Sequence, residues 1–131
     1  MVDIHARARE LSLEGRCCAQ VMVRLALEER GEQNEQMADA VGALCGGLSS
    51  GLDCGALSGA AVAMWVLAGE PVDGEIVREL VEWFAGEYGA TACEAILAGD
   101  PSSRRTTCPP LMIRTYEQAR EVLDAHGLLP F

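Results

Sequence analysis

Asp53-Cys54-Gly55-Ala56-Leu57-Ser58-Gly59-Ala60-Ala61-Val62-Ala63-Met64-Trp65-Val66-Leu67-Ala68-Gly69 is the stretch around which the chain is organised. From Ala60 to Ala68 it offers no polar face. A helix apolar on every side is a buried one, so this segment is expected to be the central helix of a bundle. Asp53 is placed to cap its first turn, where the helix dipole favours a negative charge. Gly55, Gly59 and Ala63 fall at i, i+4 and i+8 and would let a neighbouring helix approach closely.

Segments on either side repeat the helical period. Val2 to Leu13 reads as a first helix with Ile4, Ala8 and Leu11 on one side. The next, from about Arg16 to Glu29, carries Cys18, Val21, Met22 and Leu25 as a stripe, and Gly31 closes it. Asn34 caps a third helix, in which Met37, Val41, Leu44 and Cys45 share an apolar face up to Gly46-Gly47. Leu48 to Leu52 reads as a loop. Beyond Pro71 and Gly74, Asp73 caps an amphipathic helix that turns Ile76, Val77, Leu80, Val81, Phe84 and Tyr88 inward. Thr91 is expected to cap a short helix from Ala92 to Ala98. A last helix is expected from Cys108-Pro109-Pro110 to Gly127, proline being favoured at the first helical position, with Ile113, Tyr116, Ala119 and Leu123 inward. The fold class is therefore all-α, a bundle of six or seven helices around a buried central one, with residues 1–131 forming one domain.

Composition agrees. Half of the residues are hydrophobic but only 5% are aromatic, so the core must come mainly from Ala, Leu and Val, which suits close-packed helices. A net charge of -10 repels nucleic acid and anionic membrane surfaces. The longest apolar stretch, Gly59 to Gly69, is shorter than the ~20 residues needed to span a bilayer. The amino terminus lacks a basic start followed by an apolar run, which implies no secretory signal and a cytoplasmic location. In that reducing compartment six cysteines point to metal binding or thiol chemistry before structural disulfides.

On this reading Cys18, Cys54, Cys93 and Cys108 each fall in the first turn of a different helix. Free N–H groups and the helix dipole there lower a thiol's pKa, and the thiolate is the form that attacks or binds metal. Their spacings of 36, 39 and 15 residues are unlike a short CxxC loop and exclude a thioredoxin-like motif. Cys45 reads as core filling. Cys17, about 100° around the helix from Cys18, reads as a spare or exchange partner. His5 and His126, near the termini, take solvated or capping roles, and Arg104-Arg105 reads as a solvated pair.

Cys18-Ala19-Gln20, Gly46-Gly47, Cys54-Gly55-Ala56-Leu57-Ser58-Gly59, Cys93 and Cys108 together resemble the C-GCAxxG-C-C family, over about Leu11 to Leu123. The chain reads Cys-Gly-Ala where the family label has Gly-Cys-Ala, so the likeness rests also on the order of the cysteines. The resemblance implies a small bacterial protein with an inferred redox role and a site made of Cys18, Cys54, Cys93 and Cys108. Four thiolates in one place suit an iron–sulfur cluster or zinc, or one or two dithiol/disulfide pairs. Because thiolates repel one another, a bound cluster or metal is the expected occupant. The sequence names no redox partner and does not separate a catalyst from an electron carrier. Two rivals remain at this level: a non-enzymatic interaction module with cysteines as core filling, and a structural zinc protein.

Overall fold

The computed structural model describes residues 3–131, Pro101 through its backbone only. Among the described residues seven α-helices follow one another: α1 (Ile4–Leu13), α2 (Cys18–Arg30), α3 (Glu35–Ala40), α4 (Gly55–Ala68), α5 (Gly74–Tyr88), α6 (Cys93–Ile96) and α7 (Arg104–Ala125). Among the described residues there is no β-strand beyond one isolated bridge, and no helix is long and apolar enough to cross a membrane. The all-α expectation holds. Three expected caps form as read. Asn34 accepts from the Met37 amide at 3.0 Å, Asp73 accepts from Glu75 at 2.9 Å, and Gly31 ends α2 in the left-handed region. Asp3 caps α1; the expected start at Val2 lies outside the described residues.

Helix α4 packs most extensively on α2 and next on α7. The α2 contact is close because of glycine. A Cβ at Gly59 would lie 2.7 Å from Ala19 Cα, and one at Gly55 would lie 2.8 Å from Cys18 Sγ. These are the small positions read from the sequence, so the chain's spacing sets the helix separation. Around this pair the core is filled by Leu11, Val21, Met22, Leu25, Met64, Leu67, Leu80, Phe84, Tyr116 and Leu123, all buried. Tyr116 carries its hydroxyl into that core and donates it to Glu29 at 2.5 Å, while Arg120 holds the same carboxylate at 3.1 Å. A buried hydroxyl needs such a partner, and this one ties α7 to α2.

Four expectations are corrected. Helix α4 is not buried all round: Trp65 is 49% exposed, and Ala61, Val62, Trp65 and Val66 line an open apolar groove with Met37 and Val77. Its main cover comes from α2, α7 and α5, which leaves the Trp65 face open. The third helix ends early: α3 stops at Ala40 and tightens into a 3₁₀ turn over Val41–Leu44. The last helix begins a full turn before its prolines, at Arg104, with Pro109 and Pro110 inside it. Both prolines are exposed, and their fixed φ suits a helix. Two amide donors are lost on an exposed face.

The fourth correction concerns Asp53 and Thr91, each expected to cap a helix. Instead Asp53 pairs with Ala92 in the isolated bridge, and beside it the Thr91 hydroxyl donates to the Asp53 carboxylate at 3.0 Å. Cys54 and Ala92 occupy the N-cap positions of α4 and α6.

Candidate functional site

The bridge is what joins two distant cysteines. The Cys54 amide donates to Thr91 O and the Cys93 amide donates to Leu52 O, each at 2.7 Å. Two backbone bonds therefore clamp the start of α4 to the start of α6. The segment before the bridge prepares this pairing: Gly46, Gly47, Leu48 and Ser49 all have φ between 57° and 67°, a left-handed turn that folds back until the Leu52 amide reaches Gly47 O at 3.1 Å. A Cβ at Gly47 would lie 2.3 Å from the Leu52 backbone, so only glycine fits there. Leu48 and Ser49 adopt αL at a cost of roughly 1–2 kcal/mol each.

Cys18 opens α2 and Cys108 sits one turn into α7. With Cys54 and Cys93 they line one cavity of about 210 Å³, whose wall also includes Cys17, Cys45, Arg16, Arg104, Leu111 and Met112. All six cysteines of the chain thus meet around one space. The four singled out from the sequence are free thiols. Cys17 and Cys45 form a disulfide, Cα to Cα 6.2 Å. This overturns the core-filling reading of Cys45 and the spare reading of Cys17; an exchange role for Cys17 is compatible with the bond. The early end of α3 explains it, because the 3₁₀ turn releases Cys45 into an extended conformation, off the apolar face that an uninterrupted helix would have given it. Cys17 is the N-cap of α2, with its amide donated to Gln20 Oε1 at 3.1 Å.

The electrostatics differ from those expected at helix starts. Burial pushes the Cys18 thiol up, a nearby Cys108 charge adds to this, and the amides of Ala19 and Gly46 offset only part of it. Burial pushes Cys54 up to about 11, against the pull of the Ala56 and Leu57 amides. Its thiol makes no capping hydrogen bond to them, so desolvation wins. Cys108 is also raised, by burial and then by Cys54 and Cys93, while Arg104 draws it down. The expected lowering of these thiol pKa values is therefore reversed for Cys18, Cys54 and Cys108. At neutral pH and with no cation bound they carry protons.

Sequence reasoning missed Arg16 and Arg104 as cavity residues. They are the charged members of its wall, cationic within a chain of net charge -10. Arg16 is also engaged by Glu14 and Asp39, at 3.6 and 3.3 Å. Neither histidine lines the cavity: His5 lies 3.6 Å from Glu117 and His126 lies 2.6 Å from Glu79. The donor set matches a Cys₄ site in kind. Even so, among the described residues no group of three or more His, Cys, Asp or Glu side chains is arranged to hold a metal ion.

No curated protein and no solved structure matches the chain. A family model described as "Putative redox-active protein (C_GCAxxG_C_C)" matches residues 16–122, from the residue before the disulfide to the last turn of α7. With most of its length covered by that model, the chain belongs to the C_GCAxxG_C_C family.

Proposed function

We propose that the protein works by thiol–disulfide chemistry, with Cys18, Cys54, Cys93 and Cys108 as the exchanging groups. The observation that carries this reading is the convergence of these four thiols, from four helices, on one cavity of about 210 Å³. Family membership supplies the redox character. Two of the four, Cys18 and Cys108, are partly accessible, while Cys54 and Cys93 are buried. An outside thiol or disulfide can therefore meet the first pair, and the second pair can resolve the mixed disulfide. Arg16 and Arg104 at the wall stabilise whichever sulfur is transiently anionic.

A second reading keeps an iron–sulfur cluster or zinc as the occupant, since four cysteines around one hole are the right donors in kind. The side chains do not fit that group as they stand, because no three of them form a ligand set. Elemental analysis of anaerobically purified protein, combined with alkylation of the reduced and oxidised forms, separates the two. Thiol–disulfide chemistry predicts paired loss of alkylation at the four positions and substoichiometric metal. Iron or zinc held in stoichiometric amount by the reduced protein would move the assignment to Cys₄ ligation.

A further inference from the structure

The Cys17–Cys45 disulfide lies outside the family's four-cysteine pattern, yet it shares the wall of their cavity. Its nearest approach to that set is at Cys18. The point where a Gly55 Cβ would stand is 2.8 Å from Cys18 Sγ and 3.0 Å from Cys45 Cα. Cys18 Sγ and the Cys45 backbone thus face the same gap at Gly55. One amide serves both: the Ala19 N–H donates to Cys45 Sγ at 3.4 Å and also favours the Cys18 anion. Bonding between Cys18 and Cys17 is disfavoured, since Cα atoms of neighbours are about 3.8 Å apart and disulfides span about 4.4–6.8 Å. Of the two disulfide sulfurs, Cys45 is therefore the one for Cys18 to attack.

We propose that Cys17–Cys45 is an internal two-electron acceptor for the cavity thiols, reached through Cys18. The inference rests on the thiol–disulfide reading given above. In the first step the Cys18 thiolate attacks Cys45 Sγ, the Cys18–Cys45 bond forms, the Cys17–Cys45 bond breaks, and Cys17 takes up the proton that Cys18 lost. In the second, a thiolate from Cys54, Cys93 or Cys108, each coupled electrostatically to Cys18 and lining the same cavity, attacks Cys18 Sγ. It expels the Cys45 thiolate beside the Ala19 amide, and Cys45 accepts the attacker's proton. Two cavity thiols are oxidised to one disulfide, one disulfide is reduced to two thiols, and no outside oxidant or reductant enters.

The intermediate can be trapped. In the Cys17→Ser/Cys54→Ser/Cys93→Ser/Cys108→Ser variant the exchange can run neither back nor forward, so oxidation of the reduced chain by one equivalent of oxidised glutathione should place most of Cys45 in a bond to Cys18, read by peptide mapping after acid quench and alkylation. Cys45 left free, glutathionylated or bonded elsewhere would overturn the proposal. Partial reoxidation of fully reduced wild-type chain answers the same question without a substitution. Cys18–Cys45 should appear alongside Cys17–Cys45, and its absence at every time point counts against the proposal. The Cys17→Ser/Cys45→Ser variant isolates the underlying reading. If its four remaining thiols still oxidise in pairs while no Cys18–Cys45 bond forms in the other experiments, the relay is wrong and the cavity chemistry stands. If they do not oxidise, both fall.

Discussion

Replacing Gly59 with alanine tests the close contact that brings Cys18 to Gly55. The new Cβ would stand 2.7 Å from Ala19 Cα, 3.0 Å from Ala19 O and 3.1 Å from Ala19 Cβ. Two of those three atoms are backbone and cannot rotate aside, so α2 must back away from α4 by about 1 Å to restore a carbon–carbon contact of ~3.5–4.0 Å. Overpacking of this kind costs about 1–3 kcal/mol, and the rigid backbone neighbour places it toward the upper end. Alanine returns about 1 kcal/mol of helix propensity, leaving a net loss of about 2 kcal/mol. Gly86 provides the matched control: it also lies inside a helix, and nothing stands within 4 Å of its would-be Cβ. Gly86→Ala should therefore gain about 1 kcal/mol. Urea denaturation of both variants, with all cysteines kept reduced, should show midpoints displaced in opposite directions from wild type. Equal or same-sign displacement would refute the close α2–α4 contact as the constraint that sets the site.

Reduction of the Cys17–Cys45 disulfide opens a cross-link between residues 28 apart. Chain-entropy reasoning gives a loss of roughly 3–4 kcal/mol, measurable as the difference in urea unfolding between oxidised and reduced protein in which Cys18, Cys54, Cys93 and Cys108 are replaced by serine, and absent when Cys17 and Cys45 are replaced as well. Cys54, pushed from an ordinary 9.0 up to about 11, binds its proton more tightly when folded than when unfolded. Its contribution is thus full below about pH 9 and is lost as pH rises through about 11, an effect of about 2–3 kcal/mol to be followed by unfolding at a series of pH values against Cys54→Ala. Arg104 lowers the Cys108 pKa, so Arg104→Gln should raise it and slow iodoacetamide labelling of Cys108 at neutral pH several-fold, without the same change at Cys93.

Much of this was legible in the sequence because it is local. The stripe Val21, Met22 and Leu25, the inward face of α5 and the caps at Asn34 and Asp73 follow from periodicity and short-range hydrogen bonding. So does the Gly55–Gly59 spacing. The four cysteines were selectable because three of them do sit at the N-cap or first residue of a helix. Long-range pairing was not legible. Asp53 and Thr91 carry side chains equally suited to capping or to bonding one another, and only a partner 38 residues away decides between the two. Cys45 was hidden for a similar reason: its stripe looks continuous with α3, but the helix tightens at Val41, and the sulfur leaves the core for Cys17. The thiol pKa values reversed direction because burial, which the sequence does not display, outweighs the helix-start amides that it does.

The most direct test of the cavity chemistry is an anaerobic redox titration of the full chain in defined dithiothreitol buffers, with the state of each cysteine read by differential alkylation and mass spectrometry. The account predicts that Cys18, Cys54, Cys93 and Cys108 lose and regain alkylation in pairs. Each transition should follow a two-electron Nernst curve, about 30 mV per decade. Four thiols that remain fully alkylatable across the whole range of potentials would contradict it.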